Sequence, residues 1–355
     1  MNVGLAYDLR EEYLLLGYGE EETAEFDRRE TIDAIEGALM SLGYMTDRIG
    51  SAKSLLRRLA AGERWDMVFN IAEGLKGFGR EALVPALLDE YEIPYTFSDP
   101  LVLTLTLHKG MAKRVVRDAG VPTPDFRVVE KSGDLDRLID LPFPLFIKPV
   151  AEGTGKGITA ASKIMNAAQL SVMGKKMLEE YRQPVLAETF LPGREFTVGI
   201  VGSGERAAVV GVIEVILKEN AEPDVYSYLN KEKYEELVEY RLVEDDSAKE
   251  TARIALKSYR VLGCRDAGRV DMRLDENGVP NFIEVNPLAG MHPEHSDLCI
   301  IAEKAGLTYR GLISAVMESA LERQNQNGSI LNKDENRHCL QPAGGARKRQ
   351  LGILC

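Results

Sequence analysis

The 355-residue sequence predicts an α/β (α+β) protein with an N-terminal parallel α/β part followed by mixed and antiparallel sheets. Three observations carry that reading. Strand-length apolar runs alternate with helical patterns up to about residue 110, the arrangement that builds a parallel sheet with its ligand contacts at strand C-terminal ends. Beyond about residue 144 the strands come in pairs. Residues 269–274 and 280–286 alternate polar and apolar side chains around Asp275-Glu276-Asn277-Gly278, a strong hairpin-turn signal.

In order, "NVGLAYD" reads as a buried strand, followed by a charged loop. "RRETIDAIEGALMSLGY" reads as a helix, because Ile32, Ile35, Leu39 and Leu42 recur at helical spacing. "WDMVFNIAEG" is a strand running into a loop, "REALVPALLDEYEI" a helix, and "IPYTFSD" a third strand or turn. "LTLTLHKGMAKRVVRDAG" predicts one helix closed by Gly120, and "VPTPDF" a linker. Strands follow at "FPLFIKPV" and, past a glycine-rich loop, "GITAASK"; a helix covers 166–182; "PVLAETFL", "REFTVGIVGS" and "AAVVGVIEVIL" are further strands. The polar, Tyr- and Lys-rich segment 222–240 is long for a connection inside a domain and reads as functional or disordered. A helix at "DDSAKETARIALKSYRVLG" precedes the hairpin, and two helices close the fold. The expected divisions are 1–112, 113–189 and 190–323; the tail 324–355 lacks amphipathic period and is expected to be disordered.

A net charge of -12 argues against a nucleic-acid surface, which needs clustered lysine and arginine. The four cysteines form no C-x-x-C pair, the N-terminus lacks a signal-peptide pattern, and no apolar run reaches membrane-spanning length. A cytoplasmic protein without membrane partners is expected.

The hairpin carries the most chemistry. With Asn277-Gly278 as turn residues, position i faces position 555 minus i, so Asp271 faces Glu284 and Arg269 faces Asn286. Val270, Met272, Ile283 and Val285 then form the core face. Two carboxylates and an amide oxygen within roughly 5 Å destabilise a sheet unless a cation joins them. Donors that are all oxygen favour Mg²⁺ or Mn²⁺ over Zn²⁺. The alternative is a solvated face whose acids pair with Arg269.

Upstream, Lys148 ends a strand and is followed by Glu152, Gly153, Thr154, Gly155, Lys156 and Gly157, a loop able to bring backbone N–H groups close to an anion. It is not a Walker A loop, since Gly157 stands where Ser or Thr is required. Glu188 and Glu195 flank a Pro192-Gly193 turn, with Phe190 and Leu191 placed to wall a base. The alternatives are a hairpin loop and ordinary strand-end acids. His108 reads as structural, and His295 as either a substrate contact or a loop residue.

Taken in order, Lys109, Lys148 with its glycine loop, Glu188-x-x-Leu191-x-x-x-Glu195, Arg269-x-Asp271 and Glu284-x-Asn286 resemble the ATP-grasp superfamily, and within it the D-alanine–D-alanine ligases. The resemblance runs to about Arg323 and rests on "FIKPVAEGTGKGI", "ETFLPGREFTV" and "GRVDMRLDENGVPNFIEVNPLAGM". It implies an ATP-grasp fold, with two sheet domains clamping ATP, and Lys109 and Lys148 on its phosphates. Glu152, Gly153 and Gly155 belong to the phosphate-covering loop, and Glu188, Phe190, Leu191 and Glu195 to the base and ribose. It implies two Mg²⁺ (or Mn²⁺) ions on Asp271, Glu284 and Asn286, Arg269 on the oxyanion, Thr154 as the loop hydroxyl, and Lys233 and Tyr234 in the closing lid. It also implies a homodimer acting on small amino acids in peptidoglycan precursor synthesis for the cell wall. An acyl phosphate formed behind a closed lid agrees with this, since a free carboxylate acylates poorly and water would hydrolyse the intermediate.

The departures lie at the substrate. "YDLREEYLLLGYGEEE" has no matching serine, leaving Glu11 or Glu12 to grip the first ammonium group; "NIAEGLKGFGRE" replaces a His-Gly loop and offers Asn70, Glu73 and Arg80. Gly290, His295 and Ser296 stand where the second substrate's carboxylate would bind. Three readings follow: a D-alanine–D-alanine ligase, a relative joining other amino acids or peptides, and an inactive ATP-binding protein.

Overall fold

Short buried runs fix the N-terminal sheet. In this computed structural model, which describes residues 1–135 and 140–335, β1 (Asn2–Ala6), β2 (Met45–Gly50) and β3 (Met67–Asn70) form a parallel sheet in the order β2-β1-β3. All four residues of β3 are buried, as expected of a strand covered on both faces. Around it lie α1 (Arg10–Leu15), α2 (Arg29–Ser41), α3 (Ala52–Ala60) and α4 (Leu83–Glu90). The sequence reading passes over α1, β2 and α3. α1 buries no residue, and β2 is a polar edge strand whose Arg48 pairs with Glu36 and Asp33, so neither carries an apolar signature. "IPYTFSD" contributes one bridge, Val68 with Tyr95, rather than a strand.

The single helix expected around His108 is two helices, α5 (Pro100–Leu107) and α6 (Lys109–Asp118). His108 leaves the helical region (ψ 89°), and its Nδ1 accepts from the Met111 N–H, capping α6. The break places Lys109 at the start of α6, where its N–H donates to the Val150 carbonyl at 3.1 Å.

The middle sheet holds β4 (Phe126–Val129), β5 (Leu145–Pro149), β6 (Lys163–Ile164) and β7 (Val185–Thr189) in the antiparallel order β4-β7-β5-β6, backed by α7 (Ala167–Tyr181). "GITAASK" yields only the start of the two-residue β6, because Thr159 caps a 3₁₀ turn over Ala160–Ser162. The last sheet is antiparallel. It holds β8 (Glu195–Val201), β9 (Ala208–Leu217), then past α8 (Tyr228–Glu232) and α9 (Tyr234–Leu237) β10 (Val238–Leu242), and past α10 (Asp246–Val261) β11 (Ala267–Leu274) and β12 (Pro280–Asn286), in the order β10-β9-β8-β11-β12.

α11 (Asp297–Lys304) and α12 (Tyr309–Glu335) return to the N-terminal part, where Leu298, Leu312, Val316 and Met317 share one core with Ile35, Leu39 and Phe69. α12 continues helical past Arg323 to Glu335, so the segment expected to be disordered from 324 begins as helix; 336–355 lie outside the described residues.

The hairpin register departs from expectation at its turn. Asp275 N–H donates to the Val279 carbonyl, Gly278 has φ +77°, and the loop is three residues rather than two. Met272 therefore pairs with Phe282, and Phe282, not Ile283, is the buried core residue. A bulge at Ile283 restores the expected pairs Asp271–Glu284 and Arg269–Asn286.

Candidate active site

Period-two pairing on two facing sheets builds one slot. On β5 and β7, Phe146 faces Glu188, so Lys148, two residues along β5, lies diagonal to Glu188 on the same face. Lys148 Nζ meets Glu188 Oε1 at 2.9 Å, and Lys113 Nζ on α6 meets Oε2 at 2.8 Å. Lys113 is fully buried and also donates to Thr123 Oγ1 and the Phe282 carbonyl. Burial pulls its ammonium down to about 8 despite Glu188. Burial pushes the Glu188 carboxyl up, but the two lysines outweigh it and hold it below the usual range. From the opposite sheet Arg273, paired in register with Glu195, reaches Glu195 Oε2 at 3.2 Å. Phe190 lies between Lys163 (4.3 Å) and Arg273 (5.1 Å). Lys148, Glu188, Phe190, Leu191, Glu195 and Arg273 line the slot, with Lys113 buried behind Glu188. Lys113 was missed by the sequence reading. It occupies the i+4 position of an inward stripe with Lys109, Ala112 and Val116, which is a legible signal.

The hairpin's polar face continues from the slot. Asp271 Oδ1 accepts from Thr197 Oγ1 at 3.0 Å, and Arg269 Nη1 pairs with Asp271 Oδ2. Lys109 Nζ lies 3.4 Å from Glu284 Oε2 and donates to the Glu152 carbonyl at 2.6 Å. Burial alone would raise the Glu284 carboxyl, but Lys109, Lys148, Lys231 and Arg269 hold it low. Asn286 Nδ2 is buried and has no hydrogen-bond partner among the described residues, so its amide is free to turn toward a ligand. Two anionic carboxylates, an amide and no nitrogen or sulfur donor match a hard divalent cation.

The lid lies shut. Tyr228 N–H donates to the Ile158 carbonyl, and a Cβ on Gly155 (φ +75°) would sit 3.1 Å from Tyr228 N, so the loop needs glycine there. Lys163 Nζ holds Asp224 at 2.7 Å. Lys231 lines the slot, whereas Lys233 is exposed. The Tyr234 hydroxyl lies 2.9 Å from His295 Nδ1 and donates to the Glu294 carbonyl at the outer rim.

At the other end of the slot the material is loop. The Leu9–Asp27 bridge closes the segment after β1 on itself, leaving Glu11 and Glu12 exposed on α1 and bringing Glu25 into the cavity. Glu25 pairs with Arg80 and Lys156 and accepts from the Gly153 N–H at 3.3 Å. Glu73 and Glu81 place carboxylate oxygens within 4.8 Å of it. Burial and the neighbouring acids push Glu73 well up, and burial raises Glu81 too. Thr154 Oγ1 lines the same cavity, buried and without a partner among the described residues. Gly290 lines it as well, while Ser296 Oγ accepts from the His292 N–H and His295 faces a separate surface cleft. Asn70, fully buried, accepts from the Ala72 N–H.

A family profile described as "D-ala D-ala ligase C-terminus" matches residues 115–318. The uncharacterized protein y4sG of Sinorhizobium fredii is 33% identical over 308 residues, spanning 84% of this chain and 89% of that one. The D-alanine–D-alanine ligase of Bordetella petrii is 32% identical over 290 residues, spanning 81% and 85%. Among solved structures, the D-alanine–D-alanine ligase of Bacillus anthracis complexed with ATP superposes with a TM-score of 0.71 at 22% identity, over 92% of this chain and 99% of that one. The VanG D-Ala:D-Ser ligase of Enterococcus faecalis gives 0.69 at 19% identity, over 90% and 99%.

Proposed function

The chain belongs to the D-alanine–D-alanine ligase family, and from that premise we propose that it is an ATP-dependent carboxylate–amine ligase, joining two D-alanines through an acyl phosphate. The observation that carries this is the contiguity of the lysine-lined slot with the oxygen-bearing hairpin face: Lys109 bridges them by touching both Glu284 and the glycine loop. Lys109, Lys148 and Lys231 would offset phosphate charge, and Glu188, Phe190, Leu191 and Glu195 would house the base and ribose. Asp271, Glu284 and Asn286 would hold Mg²⁺, which when bound neutralises phosphate charge during transfer. Arg269, positive at every working pH, would stabilise the oxyanion of the tetrahedral intermediate. Thr154 and Gly290 lie on the amino-acid side, and the shut lid excludes water from the acyl phosphate.

The ammonium group of the first amino acid would be received by Glu25 with Glu73 and Glu81, and not by Glu12, which is exposed. That three-acid end also favours a second reading, in which the first substrate is another amino acid or a peptide. No helix among the described residues is long and apolar enough to cross a membrane; a cytoplasmic homodimer accompanies the reading.

The test is phosphate release from Mg²⁺ and ATP with D-alanine alone, against single and paired amino acids, with products identified by mass. D-alanyl-D-alanine formed from D-alanine alone upholds the first reading. Turnover only with another amino acid replaces the substrate and keeps the ligase. ATP binding without turnover on any of them overturns both.

A further inference from the structure

Arg269 shares its guanidinium between two buried carboxylates, and only one of them belongs to the oxygen set on the hairpin. Nη1 pairs with Asp271, while Nε lies 3.4 Å from Oδ2 of Asp297, the first residue of α11. The three side chains are 13%, 12% and 14% exposed, so these charges are largely out of water. Asp297 in turn faces the Tyr240 hydroxyl on β10, whose phenol is pushed up by burial and by the Asp297 charge, and the Tyr240 hydroxyl is hydrogen-bonded to that of Tyr226. A phenol has one proton to give. If Tyr240 gives its proton to Asp297, Tyr226 must donate to Tyr240, and its own oxygen remains as acceptor. Tyr226 belongs to the lid and lines the nucleotide slot. The chain of contacts therefore runs Tyr226, Tyr240, Asp297, Arg269, Asp271, Thr197, from the lid to the oxyanion arginine.

Two facts give this chain a direction. Asp271 has a second task, because its oxygens are those the cation would take, and a carboxylate drawn to a divalent ion holds an arginine less firmly. Asp297 has no such competitor: it pairs with Arg269, and the N-terminus of the eight-residue α11 favours its negative charge. Its remaining support comes from Tyr240, at the far end of the lid segment.

We propose that Asp297 and Tyr240 are positioning residues that hold Arg269 aimed at the reaction centre only while the lid is shut, so that closure over nucleotide and oxyanion stabilisation are one event. The proposal rests on the ligase reading for the role of Arg269, but the coupling of lid to Asp297 does not.

The experiment compares wild type with Asp297→Asn, Asp297→Glu, Tyr240→Phe and the Asp297→Asn/Tyr240→Phe double variant. Two readouts are taken: steady-state kinetics, and the rate of proteolytic cutting within 222–240 with and without a nonhydrolysable ATP analogue and Mg²⁺. Asp297→Asn should lower kcat by about 30-fold and Tyr240→Phe by about fivefold, with KM for ATP and amino acid within about threefold of wild type. The double variant should be no worse than Asp297→Asn, since both act through one network, and Asp297→Glu should recover part of the loss. Nucleotide should slow cutting of the wild-type lid by about tenfold or more, and this protection should be lost in Tyr240→Phe and Asp297→Asn. Losses that multiply in the double variant, an effect confined to amino-acid KM, or undiminished protection would each overturn the proposal. If wild type turns over no amino acid, the ligase reading fails and the cutting rates alone decide the coupling. If Asp297→Asn does not fold, Asp297→Glu and Tyr240→Phe supply the same two readouts.

Discussion

The two ends of the slot are made of different material. At the nucleotide end, the charged side chains sit mainly on strands and one helix, and the buried ones each have an opposite charge beside them: Lys113 and Lys148 share Glu188, Arg273 meets Glu195, and Arg269 meets Asp271. At the amino-acid end, Glu25, Glu73, Glu81 and Arg80 come from the connections after β1 and β3, and Glu73 makes no ion pair or hydrogen bond among the described residues. A matched set stands on its own before anything binds. An unmatched one keeps acidic groups close together at a cost, which a cationic ligand would relieve. The comparison points to a self-contained nucleotide end joined to a second end in which Glu73 is left without a partner among the described residues.

The most damaging change to the matched end is Glu284→Gln. It should lower Mg²⁺-dependent phosphate release by about a thousandfold or more while the circular dichroism spectrum is kept; near wild-type turnover would remove Glu284 from the cation site. Next, Glu25→Gln should raise the amino-acid KM by about tenfold and leave that for ATP nearly unchanged. Equal losses in both constants would show that the ends do not act separately. In the lid, Lys231→Ala should raise the KM for ATP by about fivefold and Lys233→Ala by less than about twofold, measured side by side. The reverse order would shift the lid's register by two residues.

The smallest effect concerns stability. Burial raises the Asp27 carboxyl from an ordinary 3.8 to about 7, so the folded protein keeps a proton that the unfolded chain releases. The stability that the neutral form contributes is complete below about pH 4 and is lost as pH rises through about 7. Asp27→Asn, neutral throughout, should be more stable than wild type in urea melts at pH 8 and equal to it at pH 4. A gain equal at both pH values would mean that Asp27 is charged in the fold.

The same division governs what could be read from the sequence. Side chains on strands alternate with a period of two, so the facing of Asp271 and Glu284 followed from the pattern alone, and it survived an error in the turn because the bulge at Ile283 compensated. The core assignment of Ile283 did not survive, since a bulge leaves no trace in an apolar pattern. Loops have no such period. Nothing local distinguishes Glu25 from Glu11 or Glu12; what selects it is the Leu9–Asp27 bridge, a contact between segments eighteen positions apart. Asp297 and Tyr240 were missed for a related reason, as their meeting needs two sheet-borne segments and a helix to converge. Lys113 was available to a stricter reading, because a charged residue on an inward helical stripe asks for a buried partner.

The seating of Tyr228 against Gly155 bears on the order of events in a catalytic cycle. Both covers of the nucleotide slot, the glycine loop and the lid, touch each other there, and the Tyr228 N–H is bonded to the Ile158 carbonyl just beyond that loop. Neither can lift without loosening the other. A nucleotide held beneath them would have to enter before the two covers meet, and its release would require both to part.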